Sequence, residues 1–237
     1  MAGTIAYAVR DNVAEITLDD GKVNAMTLAF FEELGGVLDR AERERPGALV
    51  ITGRAGTFSA GLNLKVLPTL AGDALHTTMV AFGRTMLRVF TFPIPTVAAV
   101  SGHAIAGGAV LMFACDLRCV ADGPFRLHLN EVAIGLPLPT WAIMLAQSAI
   151  PTRWHTEAIL HARMYAPAEA LERGIVDAVV PADRLVEEAR AAAGRLTTLD
   201  QAAYATSKAR HRAMAVAWAQ DHLESEISGL PARAGTR

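Results

Sequence analysis

Residues 89–115 carry no formally charged side chain. An apolar run of that length could cross a bilayer as a helix. Here Pro93, Pro95, the Ser101-Gly102-His103 triplet and Gly107-Gly108 cut it into shorter pieces. The run therefore reads as a buried strand at 95–100, a glycine turn and a buried helix at 107–114. A chain with such a segment at its middle has to enclose it with other elements. The first twenty residues hold Arg10, Asp11, Glu15, Asp19 and Asp20, which leaves no apolar signal-peptide core. The expectation is a soluble, cytoplasmic protein.

The material for enclosure is present. Of 237 residues, 52% are apolar and 19% charged, which supports a sizeable core and excludes wholesale disorder. The 22 basic and 24 acidic side chains leave a net charge of −2, without the basic excess of a nucleic-acid binder. Cys115 and Cys119 are too few for a disulfide scaffold, and Asp116 alone does not complete a metal site. They read as buried, reduced thiols.

Residues 4–9 and 13–19 alternate and flank Arg10-Asp11-Asn12, a hairpin signal. Residues 27–40 place Leu28, Phe31, Leu34 and Leu38 at helical spacing. A buried strand is expected at 48–52. A helix is expected at 66–90, interrupted early by Pro68. Strands at 117–121 and 175–180 and helices at 139–149, 152–162, 181–196 and 199–223 complete the reading. Asp183 is the expected N-cap of the third of these helices. Residues 229–237 carry no packing signal. Strands alternate with helices first and helices dominate last, so the fold class is α/β with a C-terminal helical region.

Three segments could carry chemistry. Residues 53–65, GRAGTFSAGLNLK, end a strand and turn through glycines and small residues, so a ligand could approach free backbone amides. Residues 101–116, SGHAIAGGAVLMFACD, open an apolar helix at Gly107-Gly108, and a helix N-terminus suits a developing oxyanion. No GxGxxG and no phosphate loop is present. Residues 127–139, LHLNEVAIGLPLP, isolate Glu131 among Leu127, Leu129, Val132, Ile134 and Leu136. Such surroundings raise a carboxyl pKa towards the range of a general base. Each segment alone also fits an ordinary turn.

Together, in order and at this spacing, the three resemble the crotonase (enoyl-CoA hydratase/isomerase) superfamily from about residue 4 to 223. FSAGLNL at 58–64 is similar to its first oxyanion-hole loop and HAIAGGAVLMFACD at 103–116 to its second. AEALERGIVDAVVP at 168–181 is similar to the segment beyond the active site. The resemblance implies a crotonase-like spiral of ββα turns over 1–196. It implies a C-terminal helical trimerisation segment over 197–237, cut short by family standards, and a homotrimer or hexamer. It implies that the backbone amides of Leu62 and Gly107 hold a thioester oxygen. Val23, Ala25, Ala60, Leu62 and Leu64 would line the acyl-CoA path. Lys65 would reach a CoA phosphate or else stand solvated, and Pro137 and Trp141 would wall the acyl pocket or simply pack a helix start. No cofactor or metal is implied, because coenzyme A arrives as part of the thioester substrate. No nucleic-acid or membrane partner is implied.

The family's hydratases use two glutamates, one three residues after the oxyanion glycine and one where Glu131 stands. The first position here is Val110. One base suffices to move a proton from the α- to the γ-carbon of a 3-enoyl-CoA, whereas adding water needs more. LNEVAIGLPLPTW, DGKVNAM and FSAGLNL are similar to the mitochondrial-type Δ3,Δ2-enoyl-CoA isomerases. The leading expectation is an isomerase of fatty acid metabolism with Glu131 as base and acid. A hydratase, another crotonase-fold thioester enzyme (hydrolase or decarboxylase) and a non-catalytic acyl-CoA-binding module are the alternatives. Asn63 stands where the family loop usually has Asp. His128 and His103 lie near the loops, but read as locally bonded histidines.

Overall fold

The computed structural model describes residues 3–228, so the tail expected at 229–237 lies outside the described residues. In chain order the elements are β1 (Ile5–Arg10), β2 (Val13–Leu18), β3 (Ala25–Met26), α1 (Leu28–Glu44), β4 (Ala48–Gly53), β5 (Gly56–Ser59), β6 (Gly61–Leu62), α2 (Gly72–Phe90), β7 (Thr96–Val100), β8 (Gly102–Ile105), α3 (Gly107–Ala114), β9 (Leu117–Ala121), β10 (Leu127–His128), α4 (Thr140–Ala149), α5 (Pro167–Glu172), β11 (Ala178–Val180), α6 (Leu185–Leu196) and α7 (Gln201–Ser228).

The hairpin forms as expected. Asp11 and Asn12 both take positive φ, the conformation of a tight two-residue turn, and β1 pairs antiparallel with β2 from Ile5↔Leu18 to Arg10↔Val13. From β2 onward every strand pairing in the large sheet is parallel, in the order β1-β2-β4-β7-β9-β11. A second sheet runs β10-β8-β5, and β3 pairs with β6. The chain thus repeats one unit: a large-sheet strand, a short second-sheet strand, then a helix. That is the expected spiral of ββα turns. The uncharged run divides into the end of α2, β7, β8 and α3, and no helix among the described residues is long and apolar enough to cross a membrane.

The inner strands β4 and β7 of the large sheet are buried on both faces, so they read as continuous apolar runs rather than alternating ones. On one face Leu49, Ile51, Ala98 and Val100 pack with Phe31, Leu34 and Leu38 of α1, Met86 of α2 and Leu111 of α3. On the other, Val13, Val50, Val97 and Cys119 meet Leu185, Ala189 and Ala193 of α6. The main core continues across residue 196, because Ala219 and Leu223 of α7 belong to it.

Several boundaries differ from expectation. The helix expected at 66–90 is a 3-10 turn at Leu67–Thr69 followed by α2. The segment expected as a helix at 152–162 is a 3-10 turn at Thr152–Trp154 and a π-helix at Thr156–Leu160. Its wide turn lets Glu157 meet Arg173 at 2.9 Å, while that guanidinium lies 4.1 Å over the Trp154 ring. Asp183 does not cap α6. The Arg184 amide donates to Pro181 O, which delays the helix to Leu185. The strand expected at 175–180 shortens to β11, since the Ile175 and Val176 amides are spent on Ala170 O.

Candidate active site

The first expected loop is fixed by strand pairing. Ala25 pairs with Gly61 and Met26 with Leu62. The Asn63 amide donates to Met26 O at 2.9 Å and the Ala60 amide to Val23 O at 3.0 Å. Amides alternate sides along a strand, so with Asn63 N–H turned towards β3, Leu62 N–H faces away from it. Asn63 then starts the next turn: its side-chain oxygen accepts from the Lys65 amide at 3.0 Å and the Val66 amide at 3.3 Å.

The second loop meets the first there. A methyl group on Gly61 Cα would lie 2.6 Å from Gly107 N and 2.9 Å from Ile105 O. A methyl on Gly107 would lie 3.2 Å from Gly61 Cα and 2.9 Å from the Phe82 ring. Only glycine backbones fit at this crossing. Gly107 opens α3, whose first intrahelical bond runs from Val110 N to Ala106 O, so the Gly107 amide has no acceptor within the helix. The residue before it, Ala106, holds φ 51° and ψ −122°, a strained conformation for a residue with a side chain. Its amide is tied to His128 O at 3.0 Å.

That bond also delivers Glu131. β8 and β10 run parallel with Ile105 opposite His128. Gly107 follows by two residues and Glu131 by three, so both leave the sheet at the same end. The Glu131 Oε2 atom is buried and has no hydrogen-bond partner among the described residues. Burial raises the Glu131 pKa above the ordinary carboxylate value, opposed in part by the Glu131 and Asn130 amides. Burial is the cause the sequence reading expected, but two of the apolar neighbours named there face outward. Leu127 and Leu129 turn into the core, while Val132 and Ile134 are 43% and 41% exposed.

The remaining expected residues separate into groups. Ala25 and Ala60 stand beside Leu62 at the loop crossing. Val23, Leu64, Lys65 and Pro137 are exposed, on the chain leading to or away from it. Val110 is 1% exposed, one helical turn beyond Gly107. Trp141 is also 1% exposed and lies edge-on behind Phe82, with ring centroids 4.8 Å apart; it backs the wall of Gly107 from the core. A cavity of about 220 Å³ adjoins the first loop, with Leu62, Asn63, Val66 and Leu67 on one side and Met26, Leu28 and Thr78 on others. His103 accepts from the Arg126 amide through Nδ1 and packs on Phe125, a local role. His128 keeps Nδ1 buried without a partner among the described residues, and burial lowers its pKa.

The profile of the enoyl-CoA hydratase/isomerase family matches residues 8–229. The chain belongs to that family. It is 30% identical over 203 residues to human mitochondrial enoyl-CoA delta isomerase 1, covering 84% of this chain and 67% of the human one. Among solved structures, one Mycobacterium tuberculosis protein, described once as an enoyl-CoA isomerase and once as a probable enoyl-CoA hydratase, superposes with TM-scores of 0.90 and 0.91 at 32% identity, covering 98% and 96% of this chain and 100% and 96% of the other. An enoyl-CoA hydratase of Mycobacterium ulcerans superposes with 0.90 at 30% identity, covering 96% of this chain and 99% of the other. Relatives bearing both names therefore share this fold.

Asn24 and Ser59 escaped the sequence reading although both lie at the loop crossing and are almost fully buried. The available signal was a small polar residue between apolar ones, Asn24 between Val23 and Ala25 and Ser59 between Phe58 and Ala60.

Proposed function

We propose that this member of the family moves the double bond of a 3-enoyl-CoA to the 2-position. The observation that carries the reading is that Glu131 keeps Oε2 buried and without a partner among the described residues while position 110 is a buried valine. The Leu62 and Gly107 amides receive the thioester oxygen. Glu131 takes a proton from the α-carbon, and the electron pair spreads over the oxygen and the γ-carbon. The two amides stabilise the enolate oxygen, which carries more charge in the transition state than the ground-state carbonyl does. The same proton returns from Glu131 to the γ-carbon, leaving the double bond between the α- and β-carbons. Nothing is gained or lost, so no cofactor enters.

Hydration would require a second group to orient and split water, and Val110 offers no acceptor. The apolar lining beside Leu62 accommodates an acyl chain. The exposed Val23, Leu64 and Lys65 accompany the CoA portion to solvent.

The test is a paired assay of 3-hexenoyl-CoA isomerisation and 2-hexenoyl-CoA hydration, with wild type and Glu131→Gln. Isomerisation is expected to dominate and to fall by about 10²–10⁴ in the variant, the usual contribution of a positioned acid–base group. Dominant hydration, or wild-type turnover by Glu131→Gln, would overturn the proposal.

A further inference from the structure

Gly61 must be glycine where the loops cross, because a methyl there would sit 2.6 Å from Gly107 N. At φ +79° it holds a backbone conformation open to glycine, and its torsions set the direction of the Leu62 amide. Pairing with Ala25 sets its register, and a further contact has to hold its amide. The buried Ser59 hydroxyl does so. It accepts the Gly61 amide at 3.1 Å and donates to Asn24 O at 2.7 Å, so both its roles are filled and its rotor is fixed.

Asn24 anchors the relay in turn. Its Nδ2 donates to Leu18 O at 2.9 Å and Phe58 O at 3.0 Å, and its Oδ1 accepts from the Asp20 amide at 2.9 Å. One 2%-exposed side chain thus ties the end of β2 to β5. Its own backbone holds φ 50°, which presents the carbonyl to Ser59. Beyond Leu62, the Asn63 amide is pinned on Met26 O at 2.9 Å. The Leu62 amide is bracketed by two fixed amides, one held by strand pairing and one by a side chain.

We propose that Ser59, braced by Asn24, is a positioning residue that aims the Leu62 amide at the thioester oxygen. This rests on the acyl-CoA reading of the site. Ser59 touches no substrate, and its effect falls on the enolate-forming step rather than on binding. In Ser59→Ala the Gly61 amide loses its acceptor and turns, and Leu62 N–H turns with it.

The test uses the full chain with hexanoyl-CoA, a saturated thioester that cannot react, and reads the infrared carbonyl stretch of the bound ester. Wild type should lower that frequency, and Ser59→Ala should lose most of the shift. With 3-hexenoyl-CoA, kcat should fall about 10- to 100-fold, the scale of one misplaced oxyanion donor. KM and the acid limb of the pH profile should stay in place, because Glu131 is untouched. Ser59→Cys keeps the shape of the side chain with a somewhat larger and weaker acceptor and should fall between the two. An unchanged shift and kcat in Ser59→Ala would overturn the proposal. If that variant does not fold, an unchanged shift and kcat in Ser59→Cys would do the same. A wild type that fails to bind hexanoyl-CoA, or binds it without shifting its carbonyl, would overturn the acyl-CoA reading and this inference with it.

Discussion

Removing the Asp116 charge should unlatch α7 from the core. Asp116 lies between α3 and β9, with its side chain 12% exposed. Its Oδ2 accepts from the Thr96 amide at 2.8 Å, Tyr204 Oη at 2.9 Å and Lys208 Nζ at 2.7 Å; its Oδ1 accepts from Arg212 Nη2 at 2.7 Å. The two cations are 5% and 15% exposed, so Asp116→Asn leaves both nearly buried without a counter-charge. Breaking such a pair from one side costs about 3–5 kcal/mol. The lower end applies, because Lys208 still reaches Ile94 O at 3.2 Å and Arg212 still lies 3.9 Å over the Phe90 ring. A loss of about 3 kcal/mol lowers Tm by roughly 6–12 °C for a chain of this size. Urea unfolding and a thermal scan at pH 7 measure it, and a cycle with Lys208→Met should show at least about 0.5 kcal/mol of coupling. Burial alone would raise the Asp116 pKa, but Lys208, Arg212 and the Thr96 amide together hold it below its ordinary 3.8. The carboxylate's stabilisation is therefore complete above that value and fades only as pH falls through the lowered pKa. A loss under about 1 kcal/mol, or no coupling to Lys208, would refute the latch.

Two further outcomes follow from the site itself. Because burial raises the Glu131 pKa, kcat/KM for isomerisation should show an acid limb above the ordinary carboxylate value of 4.5. The same shift carries a stability sign: a raised folded-state pKa favours the fold below 4.5 and disfavours it as pH rises through the folded value. Glu131→Gln should therefore melt higher than wild type at pH 7 and lose that advantage near pH 4 (scans at the two pH values decide it), and a variant that melts lower at pH 7 contradicts the burial account. Gly61→Ala combines positive φ with a collision against Gly107 N. It should lower Tm by several degrees and reduce kcat by about 10²-fold, the scale of a displacement near 1 Å; near wild-type kinetics would show that the loops need not touch.

The sequence was most readable where the cause is local. The Asp11-Asn12 turn, the runs of β4 and β7 and the α3 start at Gly107 follow from backbone preference and periodicity, and each lies where expected. The two loops and Glu131 were readable as motifs in order. What escaped depends on distant partners. Asn24 reaches Phe58 across 34 residues and Asp116 reaches Lys208 across 92, and neither spacing leaves a periodic trace. The π-helix at Thr156–Leu160 answers to Arg173, which arrives from the far side of α5. Val132 and Ile134 look like a cage for Glu131 only until the 3-10 turn points them outward. Apolar letters near a carboxyl do not by themselves say which groups dry it.

On the proposed reading the two amides at the crossing would serve any reaction that puts charge on a thioester oxygen, so they leave the reaction open. The choice then rests on what Glu131, as the proposed base, would do with a proton it removed. In a one-base shift the proton must stay on Glu131 while the enolate redistributes, and exchange with solvent competes at that moment. A carboxyl with a raised pKa holds the proton longer than an ordinary one would, and a buried valine one turn along α3 supplies no water-binding group to carry it away. In a hydratase the same dryness would be a defect, since the nucleophile itself is water. Burial of Glu131 and burial of Val110 therefore favour the same chemistry: a proton taken from one carbon and returned to another, shielded from solvent in between.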